Sequence, residues 1–235
     1  MKKLEVVILH GWAISGQNKA KWQPFMDLLA NMGISSTFLS IPGMDSELTK
    51  PWSLSDYVTW LDQELSQKKS CILIGHSFGG QLAVRYSALH PQKIAKLVLI
   101  ASAGIRDHSF KAALKRNVFF VLAKVGKRLS TQPAMRTFLY KIAREHDYEQ
   151  ASPVMKKTMQ LITADEIRDD ISNITCPVQL VWGVLDTSTP YANVEVFLAA
   201  LPTAEVCTIN SARHAPQFTH PEQTADCVAE FITGK

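Results

Sequence analysis

The chain has 235 residues, 46% of them hydrophobic and 20% charged, a balance that can build one sizeable core and excludes a disordered or repeat-built chain. The length suits one ordinary domain, or one domain with an insertion. The formal net charge is +4, and the basic excess falls wholly between residues 105 and 170. No long basic run or helix–turn–helix pattern accompanies it, so no nucleic-acid partner is expected.

Leu4–Leu9 (LEVVIL) is a continuous, β-branched run and predicts a buried first strand. It is too short for the core of a signal peptide, and no segment reaches 18 uninterrupted apolar residues, so no stable membrane anchoring is expected. Trp22–Met32 predicts a helix ending before Gly33. Ser36–Ile41 predicts a second strand, stopped by Pro42 and Gly43. Ser53–Leu65 places Leu54, Tyr57, Val58, Leu61 and Leu65 at helical spacing. Ser53 is its N-cap, with Asp56 three residues on as a weaker capping box. Cys71–Ile74 reads as another buried strand, Gly79–Leu89 as a helix and Lys96–Ala101 as a strand. This alternation is that of a doubly wound, mostly parallel sheet.

The alternation stops at residue 105. The stretch 105–170 has helical patterns instead, at Phe110–Leu129, Met135–Arg144 and Val154–Ala164. Strand character resumes at Val178–Trp182 and Glu205–Ile209, with helical patterns at Tyr191–Leu201 and Pro221–Ile232. The expected organisation is an α/β core of residues 1–104 and 171–235 with a helical insertion over 105–170. The apolar stripe of 110–129 is expected to pack over the sheet domain. Its basic character leaves a second reading, contact with lipid or a long acyl group.

The four cysteines are Cys71, Cys176, Cys207 and Cys227. None forms a CxxC pair, and a metal site would need a tighter cluster. They read as small buried hydrophobes in a reducing compartment, which favours the cytoplasm.

Gly75-His76-Ser77-Phe78-Gly79 follows an apolar strand and precedes a helix. This G-x-S-x-G pattern, called a nucleophile elbow, needs a sharp strand-to-helix turn that leaves the serine hydroxyl projecting. Gly75 and Gly79 let the backbones approach closely. The bland reading is a structural turn in which Ser77 only caps the helix.

A serine hydroxyl is a weak nucleophile at neutral pH. It needs a neutral imidazole to take its proton and an acid to orient that imidazole. Of seven histidines, His214 follows the last strand, at the sheet edge where ligands gather in parallel sheets. Asp186 follows the strand before it, on the same edge, and the chain order Ser77, Asp186, His214 is the one this elbow uses. Asp186 could instead cap the helix near Pro190, and Asp165, Asp169 and Asp170 are rival acids. The developing oxyanion needs two backbone N–H donors. Phe78 N–H is the first and Trp12 N–H, after the first strand, the second. His10 is a candidate to buttress that loop.

These motifs resemble the α/β-hydrolase superfamily: HGW at 10–12, PG at 42–43, GHSFGG at 75–80, LVLIASAG at 97–104, WGVLD at 182–186 and RHAPQFTHPE at 213–222. More closely, the chain resembles the small capped bacterial carboxylesterases, a group that includes pimeloyl-carrier-protein methyl esterases. Two positions depart from the family pattern. Arg213 stands where a glycine usually precedes the histidine, and Ser40-Ile41 stand where an aspartate usually precedes Pro-Gly.

The resemblance implies an α/β-hydrolase fold and a lid at 105–170 that sets specificity. It implies a serine carboxylesterase acting on a small-molecule ester, free or carrier-linked, without metal or organic cofactor. Trp12, Phe78, Phe119 and Leu122 are the expected pocket residues. Carbon–carbon bond hydrolases, thioesterases and lipases share this chemistry, and a silent ligand-binding protein would share the fold.

Overall fold

A computed structural model describes residues 4–13, 16–106 and 151–234. Six strands form one sheet: β1 (Glu5–Leu9), β2 (Ser36–Leu39), β3 (Cys71–His76), β4 (Ile94–Ile100), β5 (Val178–Gly183) and β6 (Glu205–Ile209). The spatial order is β2-β1-β3-β4-β5-β6 and every pairing is parallel. All strands therefore end at one edge. The order reverses direction between β1 and β3, where ligand sites form in such sheets.

Alternate residues of each strand face opposite layers. Val7, Leu9, Leu73, Leu97, Leu99, Leu180 and Trp182 pack on one side, against α2 (Leu54–Glu64), α3 (Phe78–Leu89) and α6 (Asn193–Ala200). Val6, Ile8, Ile72, Ile74, Val98, Ile100 and Val181 pack on the other. There they meet Trp22, Phe25 and Leu29 of α1 (Asn18–Asn31), and Ala225, Val228 and Phe231 of α8 (Pro221–Thr233). Burial on both faces explains why these strands read as unbroken apolar runs.

The capping box at Ser53 forms: Asp56 N–H donates to Ser53 Oγ, and Ser53 N–H to Asp56 Oδ2. Helix α1 starts four residues before the expected Trp22, so Pro24 lies inside it. An interior proline removes a main-chain hydrogen bond, and the helix admits it here.

The expected helices Phe110–Leu129 and Met135–Arg144 fall outside the described residues. The described end of 105–170 holds α4 (Pro153–Ala164) and leads into α5 (Arg168–Ile171); Met155, Ile162 and Ile171 of these helices, with Ile167 between them, are buried in the first core layer. Arg85 of α3 grips this arm through Asp170 at 2.6 Å and Asp165 at 2.8 Å. Gln81 Nε2 donates to the carbonyls of Ile162 and Asp165. Two of the three rival acids are thus spent holding α4 and α5 to α3.

The cysteine expectation needs correction. Cys207 of β6 and Cys227 of α8 form a disulfide, while Cys71 and Cys176 are free. The partners lie 20 residues apart and meet because α8 packs back across the sheet, a tertiary contact with no local spacing signature. The argument from four free thiols to a reducing compartment therefore no longer holds. No described helix is long and apolar enough to cross a membrane.

Candidate active site

Strand β3 ends at His76 and α3 begins at Phe78, so Ser77 alone carries the turn. It adopts φ 51°, ψ −114°, a conformation that non-glycine residues rarely hold unless their surroundings impose it. Ser77 N–H donates to Ile100 O at 3.1 Å, and Ser77 O accepts from Gln81 and Ala103 N–H, each at 3.0 Å. A Cβ on Gly75 would stand 2.5 Å from Gly79 O, and one on Gly79 would strike the carbonyls of Leu9 and His10. Both glycines are required by close backbone approach, and that approach places the elbow at the end of β1.

His214 Nε2 lies 2.9 Å from Ser77 Oγ, and His214 Nδ1 lies 2.8 Å from Asp186 Oδ2. The three residues named from the sequence thus form one hydrogen-bonded chain. Asp186 is only 5% exposed. Its Oδ1 accepts from Ser188 N–H at 2.7 Å and Thr189 N–H at 3.1 Å. Burial opposes its ionisation, but the hydrogen bond and charge of His214, with the hydrogen bonds from Thr189 and Ser188, outweigh it and hold the carboxyl below its ordinary value. Asp186 therefore organises its own loop and also meets the histidine.

Thr189 was not singled out from the sequence. Its Oγ1 lies 2.7 Å from Asp186 Oδ2 and 3.1 Å from Ala101 O, and its carbonyl accepts the buried indole N–H of Trp182 at 2.8 Å. The DTSTP stretch after Asp186 carried that signal, since a threonine there can satisfy a buried carboxylate. The Asp186 and His214 loops also touch directly. Leu185 N–H donates to Ala212 O at 3.0 Å, and a Cβ on Gly183 would strike the carbonyls of Ala212 and Arg213. The Arg213 side chain is exposed.

Phe78 is the first residue of α3, where a main-chain N–H has no acceptor within the helix. Trp12 lies beside it, the rings meeting edge to face at 6.0 Å, and Tyr57 also meets the Phe78 ring edge to face, at 5.1 Å. His10, 1% exposed, accepts Ile41 N–H on Nε2 at 3.0 Å. Its proton therefore resides on Nδ1, which donates to Gly11 O at 2.8 Å. Of the other expected pocket residues, Phe119 and Leu122 lie outside the described residues.

Such an arrangement can deprotonate a hydroxyl beside a helix N-terminus and stabilise the charge that develops on its target. Residues 6–221 match the family model described as alpha/beta hydrolase fold. The pimeloyl-(acyl-carrier protein) methyl ester esterase of Aromatoleum aromaticum is 24% identical, with all of both chains covered. The esterase of that name from Aeromonas hydrophila subsp. hydrophila is 23% identical, over 97% of this chain and 95% of its own. Among solved structures, a bromoperoxidase from Bacillus anthracis superposes with a TM-score of 0.70 at 22% identity, covering 99% of this chain and 92% of that one.

Proposed function

The chain belongs to the alpha/beta hydrolase fold family, and from that premise we propose that it is a serine carboxylesterase with Ser77 as nucleophile, His214 as general base and Asp186 as the orienting acid. The observation that carries this reading is the hydrogen-bonded chain from Ser77 Oγ through His214 to the buried Asp186 carboxylate. His214 Nε2 takes the Ser77 proton as Oγ attacks the ester carbonyl. The N–H groups of Trp12 and Phe78 receive the oxyanion. His214 then returns the proton to the departing alkoxide, releasing alcohol and leaving an acyl-serine. Water, deprotonated by the same imidazole, attacks the acyl-serine and frees the acid and Ser77. Every step uses groups of this chain and water.

The acyl group is proposed to lie against Trp12, Phe78, Phe119 and Leu122, beneath a lid formed by 105–170 over the core of 1–104 and 171–235. The names of the two esterase relatives support a methyl ester of a carrier-linked acyl chain as the substrate class. Such a substrate would be met in the cytoplasm, the compartment proposed here. The Cys207–Cys227 bridge bears against that compartment.

Hydrolysis of p-nitrophenyl esters from acetyl to palmitoyl by wild type and Ser77→Ala tests the reading. Turnover that disappears in the variant is expected, and the chain-length optimum sizes the acyl pocket. Equal turnover by both, or none at any length, overturns it.

A further inference from the structure

His76 stands between the strand that presents the nucleophile and the loop that presents the base. Its Nε2 lies 3.0 Å from the main-chain carbonyl oxygen of His214. A carbonyl only accepts, so the proton resides on Nε2 and the neutral ring leaves Nδ1 bare. Nδ1 is buried without a hydrogen-bond partner among the described residues.

The donor is rigidly mounted. His76 is the last residue of β3 and pairs with Ile100 of β4. Its ring packs edge to face with Trp22 of α1 at 6.1 Å and with Phe218 of α7 (Pro216–Thr219) at 6.3 Å, and lies tilted 5.1 Å from the His214 ring. It also fills the space under the Trp12 loop, where a Cβ on Gly11 would come within 2.7 Å of Nδ1. His214 sits instead in the connection between β6 and α7.

We propose that His76 is a positioning residue: by donating Nε2–H to the carbonyl of His214 it ties the base loop to the central sheet and keeps the His214 imidazole in line between Ser77 and Asp186. This rests on the reading of Ser77, His214 and Asp186 as the reacting groups. A reacting pair must be held to a fraction of an ångström, and a loop tied at the base residue's own main chain meets that requirement.

The donor also survives the charge changes of the reaction. Among the described residues, the ionisable groups that act on His76 are His214, Asp186 and His10. Burial, reinforced by His214, pushes the His76 pKa down to about 3. When His214 becomes protonated during turnover, His76 therefore stays neutral and Nε2–H stays in place.

Two substitutions separate the hydrogen bond from the packing. His76→Gln keeps an N–H donor at nearly the position of Nε2, and His76→Phe keeps the ring without the donor. The first readout needs no activity: the low-field proton resonance of His214 Nδ1–H hydrogen-bonded to Asp186. It is expected in wild type and His76→Gln and broadened or lost in His76→Phe.

The second readout is steady-state hydrolysis of p-nitrophenyl butyrate. His76→Phe should lower kcat at least about tenfold with KM within about twofold, and His76→Gln should recover most of the loss. A role in filling space alone reverses this order, with His76→Phe unimpaired and His76→Gln defective, and overturns the proposal. Equal resonances and equal kcat in all three proteins overturn it as well. If His76→Phe does not fold, His76→Asn, whose shorter amide stops short of the carbonyl, takes its place. Failure of the wild type to show Ser77-dependent turnover would sink the esterase reading, while the resonance would still decide the role of His76.

Discussion

His10 Nδ1 donates to the carbonyl oxygen of Gly11 at 2.8 Å, and that bond sets the direction of the next N–H along the chain. A trans peptide is planar, so the Gly11 carbonyl and the Trp12 N–H point in opposite directions. Holding one fixes the other. Ile41 N–H, donating to His10 Nε2 at 3.0 Å, keeps the imidazole in the tautomer that can do this.

His10→Phe removes both bonds and frees the Gly11–Trp12 peptide to rotate. Loss of an oxyanion donor costs about 10²- to 10³-fold in kcat. A donor that is re-aimed rather than deleted should cost about 10- to 100-fold. KM should stay within about twofold, because the bond matters only once the oxyanion forms. Steady-state kinetics on one ester checks this, and an unchanged kcat would remove Trp12 N–H from the oxyanion site.

Gly79→Ala should be among the most damaging single changes in the chain. The added methyl would strike the carbonyls of Leu9 and His10, which belong to the buried end of β1 and its turn and cannot swing aside. Overpacking against fixed backbone costs about 3 kcal/mol. Denaturant unfolding should show that loss, together with lost turnover in whatever fraction folds. An alanine variant as stable as wild type would mean that α3 can slide away from β1.

What the sequence made legible is what local pattern encodes. The four inner strands, β1, β3, β4 and β5, were readable because each is a short apolar run buried on both faces, the half-exposed edge strands β2 and β6 from their own short β-branched and apolar runs, and the Ser53 cap because its partner lies three residues on. Ser77, Asp186 and His214 could be named together because parallel strands send their following loops to one edge. The pairing of Cys207 with Cys227, the Arg85 grip on Asp165 and Asp170, and the His76 bond to His214 O were not legible. Each joins residues brought together only by helix packing or loop crossing, and nothing in the intervening sequence marks the distance. The start of α1 was misplaced for a different reason: its first turn, Asn18 to Lys21, carries no apolar spacing that marks it as helix.

Stability should fall on mild acidification in a way that reports His76. An unfolded histidine titrates near 6.5, while burial pushes the folded one down to about 3. Between those values the unfolded state binds one more proton, so stability rises with pH at about 1.4 kcal/mol per unit and levels above about 6.5. His10, also depressed by burial, acts in the same direction. Asp186 is depressed too, but its contribution is present above the ordinary carboxylate range and is lost only below about pH 4, so the windows separate. Urea unfolding at pH 7, 6 and 5 should show the slope, and His76→Gln should reduce it to the part that His10 supplies. A wild-type slope near zero would mean that His76 is free to protonate in the folded state.

The Cys207–Cys227 bridge closes a stretch that contains His214, the proposed base. Denatured, unreduced protein should therefore expose two thiols to Ellman's reagent, and reduced protein all four. In the chain-entropy account, a cross-link of this loop length stabilises by about 3 kcal/mol. For a chain of this size that is about 6–12 °C in Tm. Cys207→Ser should lower Tm by that amount, and reduction should lower the wild type equally while leaving the variant unchanged. At 25 °C kcat should change little, because the base loop keeps its ties to Gly183, Leu185 and His76. Four reactive thiols in freshly extracted, unreduced protein would show that the bridge does not form in the cell, and would restore the case for a reducing compartment.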